Sequence, residues 1–136
     1  MHNNKLVASQ AIKELIAQYD VNSLLIQKIA VHSGNKVLLL PLHEILSAEA
    51  HEGTTIFTTS SGAKHSSSKQ LSDFEFIFDD FPSLIRISKS TFINTAYIES
   101  YSKGSTCIVF MKNGSEFEVS RRKKSEILAL LSNHKM

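Results

Sequence analysis

Four consecutive cations at residues 121–124 are the strongest chemical signal in this sequence. Ser120 precedes them and can accept an N–H group of the following turn, so we predict a C-terminal helix that begins at Arg121 and ends near Ser132. Cations at the positive end of a helix dipole cost about 0.3–1 kcal/mol each. Bound phosphates remove that cost, because they attract cations and accept the free N–H groups of a helix N-terminus. The run therefore predicts phosphate contacts; the alternative interpretation is a solvated basic patch on a stable domain.

A second basic segment, residues 86–94, combines cations with hydroxyl and amide side chains. Arg86, Lys89 and Ser90 suit phosphate oxygens, whereas the amide of Asn94 can address base edges. The two apolar residues before Asn94 are expected in the core.

No catalytic or metal-binding constellation accompanies these segments in the sequence. Cys107 is the single cysteine and lies in a run that is apolar on both faces, so we expect a buried, unreactive thiol. The six histidines are scattered and have no second cysteine to help bind zinc. Glycine-rich phosphate loops and nucleophile elbows are missing from the sequence. We predict that the protein is not an enzyme and uses no metal or cofactor.

The two parts of the chain carry opposite net charges. Residues 1–80 hold 6 basic and 9 acidic groups (−3), and residues 81–136 hold 9 basic and 4 acidic groups (+5), which together give the net +2. Such asymmetry is typical of nucleic-acid contact by the basic part. The chain of 136 residues fits one domain, and it lacks a run of the ~20 apolar residues that a membrane span needs. We expect a soluble, cytoplasmic protein that does not bind membranes.

Residues 25–136 are predicted to form a strand-dominated domain, mostly β (α+β). Helix–strand alternation is missing, which favours antiparallel sheets. The predicted strands are 29–32, 36–40, 45–51, 54–59, 63–67, 84–87, 97–102, 106–111 and 116–119. A single helical turn is expected at 42–44 and a helix at 69–82, which Pro82 ends.

Residues 1–24 are predicted to be a separate N-terminal helix or linker. Apolar residues recur at three- and four-residue steps over residues 5–19, as in an amphipathic helix. Two interpretations remain open: the helix packs on the domain, or it serves as a linker to an upstream receiver domain or as a dimer contact.

Three segments in this order, residues 42–50, 86–94 and 112–122, resemble the LytTR DNA-binding domain of bacterial response regulators. The resemblance spans roughly residues 28–131. It implies an elongated antiparallel fold of three small β-sheets with a few short helices, including the C-terminal one. It also implies that loops, rather than a recognition helix, enter successive major grooves of double-stranded DNA.

The resemblance assigns base contacts to Arg121 and Asn94 and a backbone contact to Lys89. It adds a third contact at a loop whose candidates are His51, Gly53 and Thr54. Further backbone contacts are expected from charged and hydroxyl side chains: Arg86, Ser90, Arg122, Lys123 and Lys124.

The function that follows is a sequence-specific transcription regulator, the output domain of a two-component response regulator. Its expected partners are promoter repeats, an upstream receiver domain or sensor kinase system, and a second copy on DNA. The alternative is a β-rich protein-interaction module that does not read DNA, which would use the acidic face of the helix predicted at residues 69–82.

Overall fold

Three antiparallel β-sheets make up the part of the chain that the computed structural model describes, residues 27–133. This confirms the predicted mostly β fold with short helices. The predicted helix at residues 5–19, and the N-terminal region 1–24 as a whole, lie outside the described residues.

The elements of this range are short. The strands are β1 (Lys28–Ser33), β2 (Lys36–Pro41), β3 (Ile45–His51), β4 (Thr54–Thr59), β5 (Lys64–Ser67), β6 (Leu84–Ser88), β7 (Thr91–Asn94), β8 (Ile98–Tyr101), β9 (Ile108–Met111) and β10 (Glu116–Glu118). The helices are α1 (Glu75–Asp79) and α2 (Lys124–Ser132), with 3-10 segments at Leu42–Glu44, Leu71–Phe74 and Thr95–Tyr97.

A five-stranded sheet in the order β5-β4-β3-β7-β6 is central to the fold. The strands β1 and β2 form a separate hairpin, and β10, β9 and β8 form a three-stranded sheet. The hairpin of β3 and β4 has the predicted bounds, with His51 opposite Thr54.

Two hydrophobic clusters share the central sheet. Neighbouring residues along one strand belong to different clusters, as Leu84 and Ile85 do on β6 and Phe92 and Ile93 do on β7. Because successive side chains of a strand point to opposite faces, one cluster lies on each face. The first cluster also contains residues of the β1–β2 hairpin and α1, and the second contains residues of the three-stranded sheet and α2.

The strand β7 was not among the predicted strands. All four of its residues are buried, so the sequence shows no alternation of polar and apolar residues there. Its two neighbours in the sheet, β3 and β6, cover both of its edges.

The helix predicted at residues 69–82 is shorter and begins differently. A capping box between Gln70 and Asp73 starts a 3-10 segment, which continues as α1. The helix ends at Asp79, before Phe81, whose helical conformation Pro82 disfavours.

Candidate nucleic-acid interface

Two hairpin tips and one turn are joined at one end of the central sheet. The backbone N–H of Ala50, near the β3–β4 tip, donates to the carbonyl of Ser90 in the β6–β7 tip over 2.8 Å. The N–H of Ser120 donates to the carbonyl of Ile87 over 2.8 Å, which fixes residues 120–123 against the edge strand β6. These three segments carry most of the side chains that the sequence singles out.

Cations from the two basic segments line a common cleft of about 240 Å³. Lys89 comes from the β6–β7 tip, and Arg122 and Lys123 come from the turn before α2. Ser88, which the sequence did not single out, adds a hydroxyl to the same cleft. Lys89 and Arg122 are exposed. The cleft therefore presents positive charge and hydroxyl donors to solvent, the combination that binds phosphate oxygens.

The helix α2 begins at Lys124, three residues later than predicted. Ser120 does accept the Lys123 N–H, through Oγ at 3.3 Å and its carbonyl at 3.0 Å, but this closes a turn and not a helix. With this start, the acidic residue Glu126 lies in the first turn of the helix, where a negative charge is favourable. The carboxylate of Glu126 also lies 3.5 Å from Lys123 Nζ. Arg121 therefore precedes the helix, on an exposed turn.

Lys124 is engaged within the protein. Its Nζ donates to the carbonyls of Gly104 at 2.7 Å and Ser105 at 3.0 Å, in the loop between β8 and β9. These bonds occupy two of the three donors of the ammonium, so we do not include Lys124, which the sequence predicted to contact the DNA backbone, in the proposed interface.

Asn94 is buried, with 1% of its surface exposed. Its amide nitrogen donates to the carbonyl of Ile45 at 2.9 Å, and its amide oxygen accepts the N–H of Ala96 at 2.9 Å. The side chain thus caps the 3-10 segment Thr95–Tyr97 and ties β7 to the start of β3. Because the residue is almost fully buried and its amide is bonded to the backbone on both sides, this placement argues against the predicted base contact.

Arg86 is also held by the protein. The guanidinium donates to the carbonyls of Ser88 and Lys89 and to the carboxylate of Glu75, and it lies 5.1 Å from the centre of the Phe92 ring. The sequence predicted a guanidinium that meets phosphate; in the structure the side chain lines the same cleft as Lys89 and Arg122, but three of its N–H donors are turned toward the adjacent tip and Glu75.

The third predicted contact loop is the tip between β3 and β4. Glu52 and Gly53 have positive φ angles of 49° and 82°, as a two-residue type I′ hairpin turn requires. The hydroxyl of Thr54 donates to the carbonyl of His51 at 2.6 Å. His51 and Gly53 are exposed, and Thr54 is half-buried.

Cys107 is buried as predicted, with 1% of its surface exposed. Burial raises the pKa of its thiol, and the Lys124 ammonium lowers it by a smaller amount. The thiol is therefore protonated near neutral pH and unsuited to nucleophilic chemistry. Residues 27–133 contain no group of histidine, cysteine and acidic side chains that could hold a metal ion. The same range contains no helix that is long and apolar enough to cross a membrane.

Comparisons with known proteins bear on the family and the fold of this chain. A family model described as the LytTr DNA-binding domain matches residues 35–132. A solved structure, the LytTr DNA-binding domain of a protein described as a methyl-accepting/DNA response regulator from Bacillus cereus, has a similar fold with a TM-score of 0.65. It is 22% identical in sequence, and the match covers 76% of this chain and 95% of that one. Among curated proteins, none matches significantly.

Proposed function

The chain belongs to the family of LytTr DNA-binding domains, and we propose that it is a sequence-specific regulator of transcription that inserts loops into the major groove of double-stranded DNA. One observation carries the proposal: the Ser120–Ile87 backbone hydrogen bond brings two basic segments, distant in sequence, to the same cleft. A solvated basic patch would not require cations from separate elements to converge.

Phosphate contacts come from the cleft and its rim. Lys89, Arg122 and Lys123 supply charge, and Ser90 supplies a hydroxyl at the exposed hairpin tip. Each cation that neutralises a phosphate releases condensed counterions, so affinity depends steeply on salt.

Base recognition falls to Arg121. It lies exposed on the turn next to the cleft, and Val119, two residues earlier, is anchored in the core with 2% exposure. A guanidinium on a fixed turn can bond two acceptors of a guanine edge at once, which gives about 1–3 kcal/mol of discrimination.

The exposed β3–β4 tip makes the third contact, through His51, Gly53 or Thr54. The Ala50–Ser90 hydrogen bond keeps this tip beside the β6–β7 tip. Glu52 at the same tip would repel phosphates, so the contact depends on the tip approaching base edges and not the DNA backbone.

The regulatory setting is that of an output domain in a two-component system. Its signal arrives through a receiver domain or sensor kinase system, and pairs of copies occupy promoter repeats.

The experiment is a fluorescence-anisotropy titration with random-core duplexes at two salt concentrations, followed by sequencing of the bound fraction. Enriched repeats and a steep salt dependence support sequence-specific binding. Binding without enrichment would leave a non-specific polyanion binder. If the protein did not bind at low salt, the protein-interaction module would become the better account.

Variants separate the two kinds of contact. We expect Arg121→Ala to weaken binding of the selected site by about 1–3 kcal/mol and to relax specificity at one position. Arg122→Ala should weaken selected and scrambled duplexes alike and lower the salt slope by about one. Lys112→Ala is the matched control, because Lys112 is an exposed cation in the β9–β10 turn, outside the cleft. Equal loss on both duplexes for Arg121→Ala would remove its base-reading role.

A further inference from the structure

Arg86 lines the cleft together with Lys89, Arg122 and Lys123, and it makes more side-chain hydrogen bonds within the protein than those three cations do. Its Nε donates to the Ser88 carbonyl at 3.1 Å, and its Nη2 donates to the Lys89 carbonyl at 2.6 Å. Its Nη1 donates to Glu75 Oε2 at 2.7 Å. Each of the three guanidinium nitrogens thus donates a hydrogen bond within the protein, which uses three of its five N–H donors.

The β6–β7 tip needs such support. Arg86 pairs with Phe92 and Ser88 pairs with Thr91, so the ladder carries an irregularity at Ile87. A bulge interrupts the regular hydrogen bonds of a hairpin and leaves the tip less constrained. The two carbonyls that accept from Arg86 belong to this tip, and Lys89 is the cation that the tip presents.

Arg86 is itself fixed from two sides. The ring of Phe92, which is buried in the first core cluster, lies 5.1 Å below the guanidinium carbon. Glu75 on α1 holds the third nitrogen, and 28% of the Arg86 side chain remains exposed. A cation paired with a carboxylate at this distance has a weakened attraction for a second anion.

We propose that Arg86 is a positioning residue that holds the β6–β7 tip in the shape that presents Lys89 and Ser90 to DNA, without binding phosphate itself. The proposal rests on the proposed function, because it specifies how the same surface is organised. Its acidic partner Glu75 then orients the guanidinium and does not merely reduce the positive charge of the surface.

Two substitutions of Arg86 distinguish positioning from phosphate binding. Arg86→Gln removes the charge and most donors, and Arg86→Lys keeps the charge but loses the planar set of donors. For a positioning residue, both variants weaken binding of the selected duplex several-fold, and both leave the salt slope unchanged. For a phosphate-binding residue, Arg86→Gln lowers the slope by about one and Arg86→Lys restores it. That second pattern would overturn the proposal.

Hydrogen exchange without DNA provides a second test. We expect the amides of residues 88–91 to exchange faster in both variants, while amides in β9 exchange as in the parent protein. Unchanged exchange at the tip would also overturn the proposal. Arg122→Gln serves as the control, since it should lower the salt slope and leave the tip amides unaffected.

Failure of the proposed function is distinguishable from failure of this inference. If DNA binding is absent, the parent protein shows no salt-dependent binding, whereas the exchange experiment still reports whether Arg86 shapes the tip. Circular dichroism and thermal unfolding of each variant establish that the compared proteins are folded. Arg86→Lys retains the alkyl stem and a charge for Glu75, which favours a folded variant.

Discussion

Asn94 links two segments that are 49 positions apart in the chain, through its hydrogen bond to the carbonyl of Ile45. Arg121 also has a polar side chain, but it lies on an exposed turn. Buried polar side chains are in the large majority hydrogen-bonded within the protein, and Asn94 is bonded through both amide atoms. Burial therefore separates the two residues: Asn94 maintains the fold, whereas Arg121 is exposed, as the proposed base contact requires.

Asn94→Ala should lower the free energy of unfolding by about 2–4 kcal/mol, because it leaves a buried carbonyl without its donor and removes a cap. Urea denaturation measures the change. The control is Asn113→Ala, which removes one exposed local bond to the Ser115 N–H and should cost less than about 1 kcal/mol. Folded Asn94→Ala should discriminate between selected and scrambled duplexes as the parent does. If the folded variant lost discrimination between the two duplexes, Asn94 would be a base-contacting residue after all.

At the level of elements, the sequence predicts hairpins with a recognisable turn better than it predicts fully buried strands and helix starts. The strands β3 and β4 have the predicted bounds, because Glu52 and Gly53 form a recognisable turn between two β-rich runs. The strand β7 is fully buried and gives no alternating pattern. The basic turn before α2 is held by a tertiary bond from the Ser120 N–H to the carbonyl of Ile87, a residue of a strand distant in sequence, and no local pattern predicts this bond. The cation cleft could therefore be anticipated in its residue types but not in its geometry.

Lys124, the first residue of α2, has a structural role. Its ammonium holds two carbonyls of the β8–β9 loop, so Lys124→Met, which keeps the aliphatic stem, should speed amide exchange in residues 104–106. The same variant should leave the salt slope of DNA binding unchanged, because Lys124 does not neutralise a phosphate in the proposed complex. Exchange and anisotropy measurements on one sample test both expectations. A slope reduced by about one would restore Lys124 to the interface.

Across the whole molecule, the basic end exists only once the central sheet is assembled. Lys89 belongs to the β6–β7 hairpin, and Arg122 follows the three-stranded sheet. Ile87, Val119 and Ile127 are packed in the second core cluster, so this cluster joins the hairpin, the basic turn and α2. The cations of this surface, such as Lys89 and Arg122, all come from residues 81–136, the part of the chain with a net charge of +5. They form a local positive surface, although the net charge of the whole chain is only +2.

Two charge reversals with equal effect on net charge test whether this local surface governs DNA binding. Arg122→Glu and Lys36→Glu each change the net charge from +2 to 0. Arg122 lines the cleft, whereas the exposed Lys36 lines another cavity with Lys64 and His65 of β5, the strand at the other edge of the central sheet. Exposed charges act over a Debye length of about 10 Å at 0.1 M salt, so position should outweigh the total. We expect Arg122→Glu to elute from heparin at clearly lower salt and to lose most DNA affinity, while Lys36→Glu behaves as the parent. Equal shifts for both variants would mean that overall charge, and not an organised interface, attracts the polyanion.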